Sequence, residues 1–274
     1  MIAFDAYNAP RIIYGEGVSK QVATLLQSLN VKTVMAVYDE GIKQVGIADS
    51  VLTPLREAGF VVEEFGGVTA DPPVEMIEAA AKYADEKNVD IYIAIGGGGV
   101  IDTTKCMAVM HTNPGRLLDY VLGVGKPIPN LCPKVIAIPT TCGTGSECTN
   151  ISVAIVKDEK DGVLTGGETK LGLVSDDIIP NKVCLIPELL KTLPYKPFAC
   201  SAIDALVHAT ESFLSPHRKT MTSELFSEKA MDVILKGFKL IDEKGQDARF
   251  EYMDQFVTAS FYAGIAFMKA GCGP

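Results

Sequence analysis

Short apolar runs alternate along the first half of the chain with stretches in which apolar positions recur every three or four residues. Residues 33–38 (TVMAVY) form a run without charge, the pattern of a strand buried on both faces. Residues 42–58 follow with Ile42, Val45, Val51, Leu52 and Leu55 at helical spacing. A second strand is predicted over 61–65, a second helix over 73–87 with Pro73 early in it, and a third strand over 90–95. Residues 134–138 read as a further strand ending in a polar loop, and 151–156 as another extended run. The β-α-β-α-β order predicts a doubly wound parallel sheet covered by helices on both faces, whose ligands sit at the carboxyl ends of the strands. After about Pro180 the texture changes, and 201–214, 223–241 and 249–270 read as helices. The expected organisation is an α/β domain over 1–182 and an all-helical domain over 183–274. Within the last helix, 256–268 carries no charge and is apolar around its whole circumference, so it must be covered. Only six residues follow it, which predicts an exposed patch, a partner chain or instability.

Composition narrows the function classes. The 274 residues are 47% apolar and 22% charged, the balance of a globular chain of one or two domains. With 25 basic against 34 acidic residues the net charge is −9, and no basic cluster offers a nucleic-acid surface. The stretch 256–268 is too short to span a membrane. The start, Met1 to Asp5, has no basic segment leading into an apolar one, so a cytoplasmic protein is expected. Seven scattered cysteines (Cys106, Cys132, Cys142, Cys148, Cys184, Cys200, Cys272) without a CxxC pair are expected to be reduced and mostly buried.

Four local patterns carry candidate chemistry. At Gly96–Gly99 a predicted strand runs into four glycines and then a helix. Such a turn lets backbone N–H groups approach an anion, a pyrophosphate above all, although a tight strand-to-helix turn also needs glycine. It is neither GxGxxG nor a Walker motif, because Ile101 holds the last glycine position and the lysine spacing is wrong. Asp39, directly after a strand, can accept from an adenosine ribose or cap a helix. Four hydroxyls between Thr140 and Ser146 suit phosphate, ribose or carboxamide groups, or a local turn. Asp204 and His208, spaced i and i+4, share one helix face and could provide two metal ligands or a surface pair. A metal needs three or four ligands, and the chain has only two other histidines, His111 and His217.

Taken in order, GGGGVIDTTK (96–105), IPTTCGTGSECTN (138–150), LPYKPFACSAIDALVHATESFLSP (193–216) and FYAGIAFMKAGCG (261–273) resemble the iron-containing (group III) alcohol dehydrogenases. The cysteine of PTTCGTGSE, Asn150 and LIPELLKTLPYKPF resemble the NAD-dependent 4-hydroxybutyrate dehydrogenase branch. The resemblance implies an oxidoreductase moving a hydride between NAD(H) and a small alcohol or aldehyde, here 4-hydroxybutyrate and succinate semialdehyde. It implies a dinucleotide-binding α/β domain, with Asp39 at the adenosine ribose and Asp71, Gly97, Gly98, Gly99, Asp102, Thr140, Thr141, Thr144, Thr149 and Lys170 at the cofactor. Gly99 stands where most members carry serine.

The resemblance also implies Fe²⁺ (or Zn²⁺) on Asp204 and His208, polarising the carbonyl. Two further histidine ligands are expected beyond Pro274, so the helical domain is expected to be incomplete, and the resemblance implies a homo-oligomer, a dimer, for the full-length form. No Arg falls in the matched motifs to hold a substrate carboxylate, and Asn150 and Lys170 are the nearby donors. Two other readings stand beside this one. The first is a catalytically inactive chain that binds NAD only, and the second is a non-redox metal and NAD enzyme akin to dehydroquinate synthase. Other alcohols of the family, 1,3-propanediol, lactaldehyde or butanol, remain alternatives to the 4-hydroxy acid.

Overall fold

Alternation of side chains along each strand divides the interior into two cores. In the computed structural model, which describes residues 10–271 apart from 70, 161 and 162, strand β2 (Thr33–Tyr38) sends Met35 and Val37 to one face and Val34, Ala36 and Tyr38 to the other. Strand β4 (Ile91–Gly96) divides Tyr92 and Ala94 from Ile91, Ile93 and Ile95 in the same way, as does β5 (Lys134–Pro139). Both faces of these strands are buried, so the runs are continuously apolar. With β1 (Arg11–Tyr14), β3 (Val61–Phe65) and β8 (Lys182–Leu185) they form one six-stranded parallel sheet in the order β1-β8-β5-β4-β2-β3. Helices α1 (Val22–Gln27) and α3 (Ile47–Glu57) cover one face, and α4 (Val74–Glu86) and α5 (Gly98–Thr112) the other. The doubly wound sheet is therefore as expected. Its order reverses between β2 and β4, the place where such sheets open a crevice.

Several boundaries differ from the sequence reading. The helix expected over 42–58 is two, α2 (Glu40–Gln44) and α3, because Gly46 takes φ +77 between them. Pro73 caps α4 from outside rather than lying inside it. Strands β1 and β8 were not anticipated, and the division expected after 182 falls at the first residue of β8, inside the parallel sheet. The extended run at 151–156 is the start of β6 (Ile151–Lys160), which pairs antiparallel with an unforeseen β7 (Val163–Val174) as a separate hairpin.

Helix α6 (Tyr195–Leu214) starts six residues before its expected position, and α7 (Met221–Lys244) and α8 (Met253–Ala270) complete the helical part. The chain itself covers α8, contrary to expectation. Phe256 meets Phe198 of α6 edge-on at 4.9 Å and Phe238 of α7 at 5.7 Å, pairs worth about 0.5–1.5 kcal/mol each beyond their burial. Exposed apolar residues of the helical part lie instead on α6 and α7, among them Ile203, Val207, Leu225 and Leu235. Among the described residues no helix is long and apolar enough to cross a membrane. The six described cysteines are free and four are buried; Cys272 and the Met1–Asp5 segment lie outside the described residues.

Candidate functional site

The site grows from the carboxyl end of β4. Gly97 caps α5 from an extended conformation, and α5 begins at Gly98, so the first N–H groups of the helix point outward without intrahelical acceptors. Side chains are excluded here by close neighbours. A Cβ on Gly97 would fall 3.2 Å from Thr141 Cγ2, and one on Gly98 only 2.5 Å from Thr144 Cγ2. No acidic residue occupies the first turn, which leaves the positive end of the helix free for an anion.

Two clefts meet at this turn, since Gly98 and Gly99 line both. The first, about 540 Å³, also touches Asp39, Gly97, Thr140 and Thr141. Asp39 Oδ1 accepts from the Ile42 N–H at 3.0 Å, capping α2, and a carboxylate retains acceptor capacity on its other oxygen. Capping and ligand binding are thus compatible at this residue. The second cleft, about 390 Å³, touches Asp71, Asp102, Thr144, Lys170, Asp204 and His208, with Thr149 and Phe267. Every residue expected at the cofactor therefore lines one of these two connected clefts. Asn150 does not; its side-chain amide donates to Asp176 Oδ1 at 2.8 Å. Lys170 pairs with Asp71 at 2.7 Å in an exposed contact of small energetic weight, and β7 is what carries it there.

Beneath the second cleft lies a buried ionic cluster that joins Asp102, expected at the cofactor, to Lys105 and Glu147, which had no assigned role in the sequence. Lys105, fully buried, donates through Nζ to the Thr149 and Ile151 carbonyls at 2.9 and 2.8 Å and stands 4.0 Å from Asp102 Oδ1. Asp102 Oδ2 accepts from the Val153 N–H at 3.1 Å, while Oδ1 is buried and has no hydrogen-bond partner among the described residues. Burial raises the Asp102 pKa against the pull of Lys105, and burial lowers that of Lys105 against the pull of Asp102. Glu147 is pushed up to about 7 by burial. The i, i+3 spacing of Asp102 and Lys105 in an otherwise apolar helix was the available signal for this pair.

Asp204 and His208 do come together on α6. Nε2 lies 3.7 Å from Oδ1, too far for a hydrogen bond, and the ring packs on Phe267 at 4.7 Å. His208 Nδ1 is buried and has no hydrogen-bond partner among the described residues, although a metal-bound imidazole ordinarily donates its second N–H. Among the described residues no group of three His, Cys, Asp or Glu side chains could hold a metal ion. The pair offers two donors, half of a closed ligand set, and so does not by itself fit an iron or zinc ion.

Comparison with known proteins places these features in context. The signature described as iron-containing alcohol dehydrogenase matches residues 9–187, and that of the C-terminal part of the Fe-containing alcohol dehydrogenase family matches 198–274. The chain is 41% identical over 241 residues to the 4-hydroxybutyrate dehydrogenase of Clostridium kluyveri, covering 84% of this chain and 61% of that protein. It is 31% identical to long-chain-alcohol dehydrogenase 1 of Geobacillus thermodenitrificans, covering 94% of this chain and 62% of the relative. The chain thus spans about three fifths of the length of these relatives. Among solved structures, the iron-containing alcohol dehydrogenase of Thermococcus thioreducens superposes with a TM-score of 0.83 at 29% identity, over 96% of this chain and 66% of that one. The sulfoacetaldehyde reductase of Bifidobacterium kashiwanohense, solved in complex with NAD+, superposes with a TM-score of 0.87 at 25% identity, over 99% and 69%.

Proposed function

The chain belongs to the iron-containing alcohol dehydrogenase family, and from that premise we propose that it forms the dinucleotide-binding part of an NAD-dependent oxidoreductase acting on a small alcohol and its aldehyde. One observation carries this reading: a glycine turn at a helix N-terminus stands between a cleft headed by Asp39 and a cleft holding Asp204 and His208. A dinucleotide is the ligand whose shape matches, with an anionic pyrophosphate between two nucleoside ends. Asp39 takes the adenosine ribose hydroxyls and disfavours a 2′-phosphate. Gly97, Gly98 and Gly99 receive the pyrophosphate through backbone N–H groups. Thr140 and Thr141 serve the adenosine side, and Thr144, Thr149 and Asp102 serve the nicotinamide side. Bound there, NAD(H) supplies hydride transfer to or from the substrate carbon.

The substrate end follows from the second cleft. Among the described residues lining it, Lys170 is the only lysine or arginine, and it is the group we assign to a distal carboxylate or to the cofactor phosphates. A 4-hydroxybutyrate and succinate semialdehyde pair is the substrate we favour, supported by the relative of that activity. Asp204 and His208 are the donors this chain offers toward iron, or zinc, and further ligands must come from elsewhere. Free thiols suit a reducing compartment such as the cytoplasm, and the longer protein is read as a homodimer.

Fluorescence titration with NADH tests the reading. Saturable binding is expected, and Gly98→Ala should abolish it, because the new Cβ would displace Thr144. Absence of binding by the wild type, or wild-type affinity in Gly98→Ala, overturns it. NADH oxidation with succinate semialdehyde and added Fe²⁺ then tests the chemistry, and NAD+ reduction by 1,3-propanediol or butanol but not by 4-hydroxybutyrate would replace the substrate. The two-donor set favours a second reading, dinucleotide binding without turnover, which binding without oxidation would leave standing.

A further inference from the structure

Two glycines of the hydroxyl-rich loop press on two different helices. Gly143 lies against α6, where a Cβ would fall 2.7 Å from the Ser201 carbonyl oxygen and 3.0 Å from Ser201 Cα. Gly145, at φ +64, lies against α8, where a Cβ would fall 2.5 Å from Gly264 Cα. The reciprocal Cβ on Gly264 would fall 2.8 Å from Gly145 Cα and 2.6 Å from Cys148 Sγ. Gly145 and Gly264 approach this closely because both lack side chains. Weak thiol contacts fasten the seats. Cys148 Sγ donates to the Gly145 and Phe261 carbonyls at 3.2 and 3.5 Å, and Cys142 Sγ lies 3.4 Å from Ser201 Oγ.

Thr144 stands between the two seats, and its methyl and hydroxyl fill the space beside Gly98. Ser201 is one turn ahead of Asp204 on α6, and Gly264 is one turn ahead of Phe267, which packs on His208. The loop is therefore located by the same turns of the same helices that carry the Asp–His pair. Neither Gly143 nor Gly264 lines either cleft.

We propose that Gly143 and Gly264 are positioning residues, a two-sided clamp that holds Thr144 against the Gly98 turn and makes nucleotide affinity depend on the seating of α8. The proposal rests on the dinucleotide reading above. A methyl at Gly264 cannot be accommodated by side-chain rotation, because its nearest neighbours are loop backbone and a buried sulfur. The loop must move, and Thr144 is the residue adjacent to the contact.

The test compares Gly264→Ala with Gly237→Ala. The latter lies on α7 and overpacks against the opposite end of α8, where its Cβ would fall 2.3 Å from Phe256 Cζ. NADH affinity and thermal midpoint are measured for both. Gly264→Ala should bind NADH at least about tenfold more weakly, since small displacements of a positioned group are costly. Gly237→Ala should lose thermal stability but keep affinity within about twofold, as separated sites are nearly additive. Unchanged affinity in Gly264→Ala overturns the clamp while leaving the dinucleotide reading intact; a wild type that binds no NADH overturns both. Hydrogen exchange on the wild type decides the matter if the variant does not fold. Binding coupled through the clamp must slow exchange in residues 258–268 as well as in 140–148, and protection confined to 97–105 and 140–148 overturns it.

Discussion

Replacing Glu147 by Gln tests how the loop beside the cleft is built. The side chain is buried, and burial pushes its carboxyl up from 4.5 to about 7, with Lys105 opposing the rise and Asp102 adding to it. An unfolded chain titrates this group near 4.5, so between the two values the native state binds more protons than the unfolded state and stability falls as pH rises. The stabilisation contributed by the protonated group is whole below about pH 4.5 and gone above about pH 7. A move of that size corresponds to about 3 kcal/mol. Gln keeps the shape and a hydrogen-bond donor while removing the ionisation. Urea unfolding of wild type and Glu147→Gln across about pH 5 to 8 should show the variant gaining on the wild type with rising pH, by up to about 3 kcal/mol at the alkaline end. Titrating groups away from the cluster, such as His111, whose pKa burial lowers, cancel in the difference. A gap independent of pH, or one that closes as pH rises, would refute the burial argument.

Asp39→Gly should lower the preference for NAD over NADP, measured as the ratio of their dissociation constants, while costing only a few tenths of a kcal/mol as a lost cap; an unchanged ratio removes Asp39 from the ribose. Lys105→Met leaves Asp102 buried without its cation and two carbonyls without their donor, and should cost on the order of 3–5 kcal/mol in urea unfolding. A loss below about 1 kcal/mol would mean that the cluster is solvated. Calorimetric titration of the wild type with Co²⁺ or Zn²⁺ should show only weak binding, because two donors are present, and tight stoichiometric binding abolished by His208→Ala would contradict that accounting.

Much of the sheet was legible because β2, β4 and β5 are buried on both faces, and burial writes itself as uninterrupted apolar residues. The glycine turn was legible for a related reason, since a strand that ends in four glycines leaves little else for them to do. β1 and β8 were not legible: each is four residues long, and β1 is exposed at three of its four positions, so neither carries a distinctive pattern. β7 holds Gly172, Glu168 and Lys170, and only its pairing with β6 makes it a strand. The exposed patch expected near 256–268 was wrong for a tertiary reason, because α6 and α7 already cover α8.

Local chemistry was therefore set by the sequence itself: which strands lie in the interior, where an anion can approach a helix end, and which two side chains share a turn of α6. These follow from periodicity and residue type within a few neighbours, and any fold that keeps the strands and helices keeps them. What only the tertiary structure decided is how those parts meet. Lys105 finds its acceptors 44 and 46 residues away, and Gly145 finds Gly264 across the helical layer. Lys170 reaches Asp71 through a hairpin. Such contacts join residues distant in the chain, and no pattern within a few neighbours encodes which of them the fold brings together.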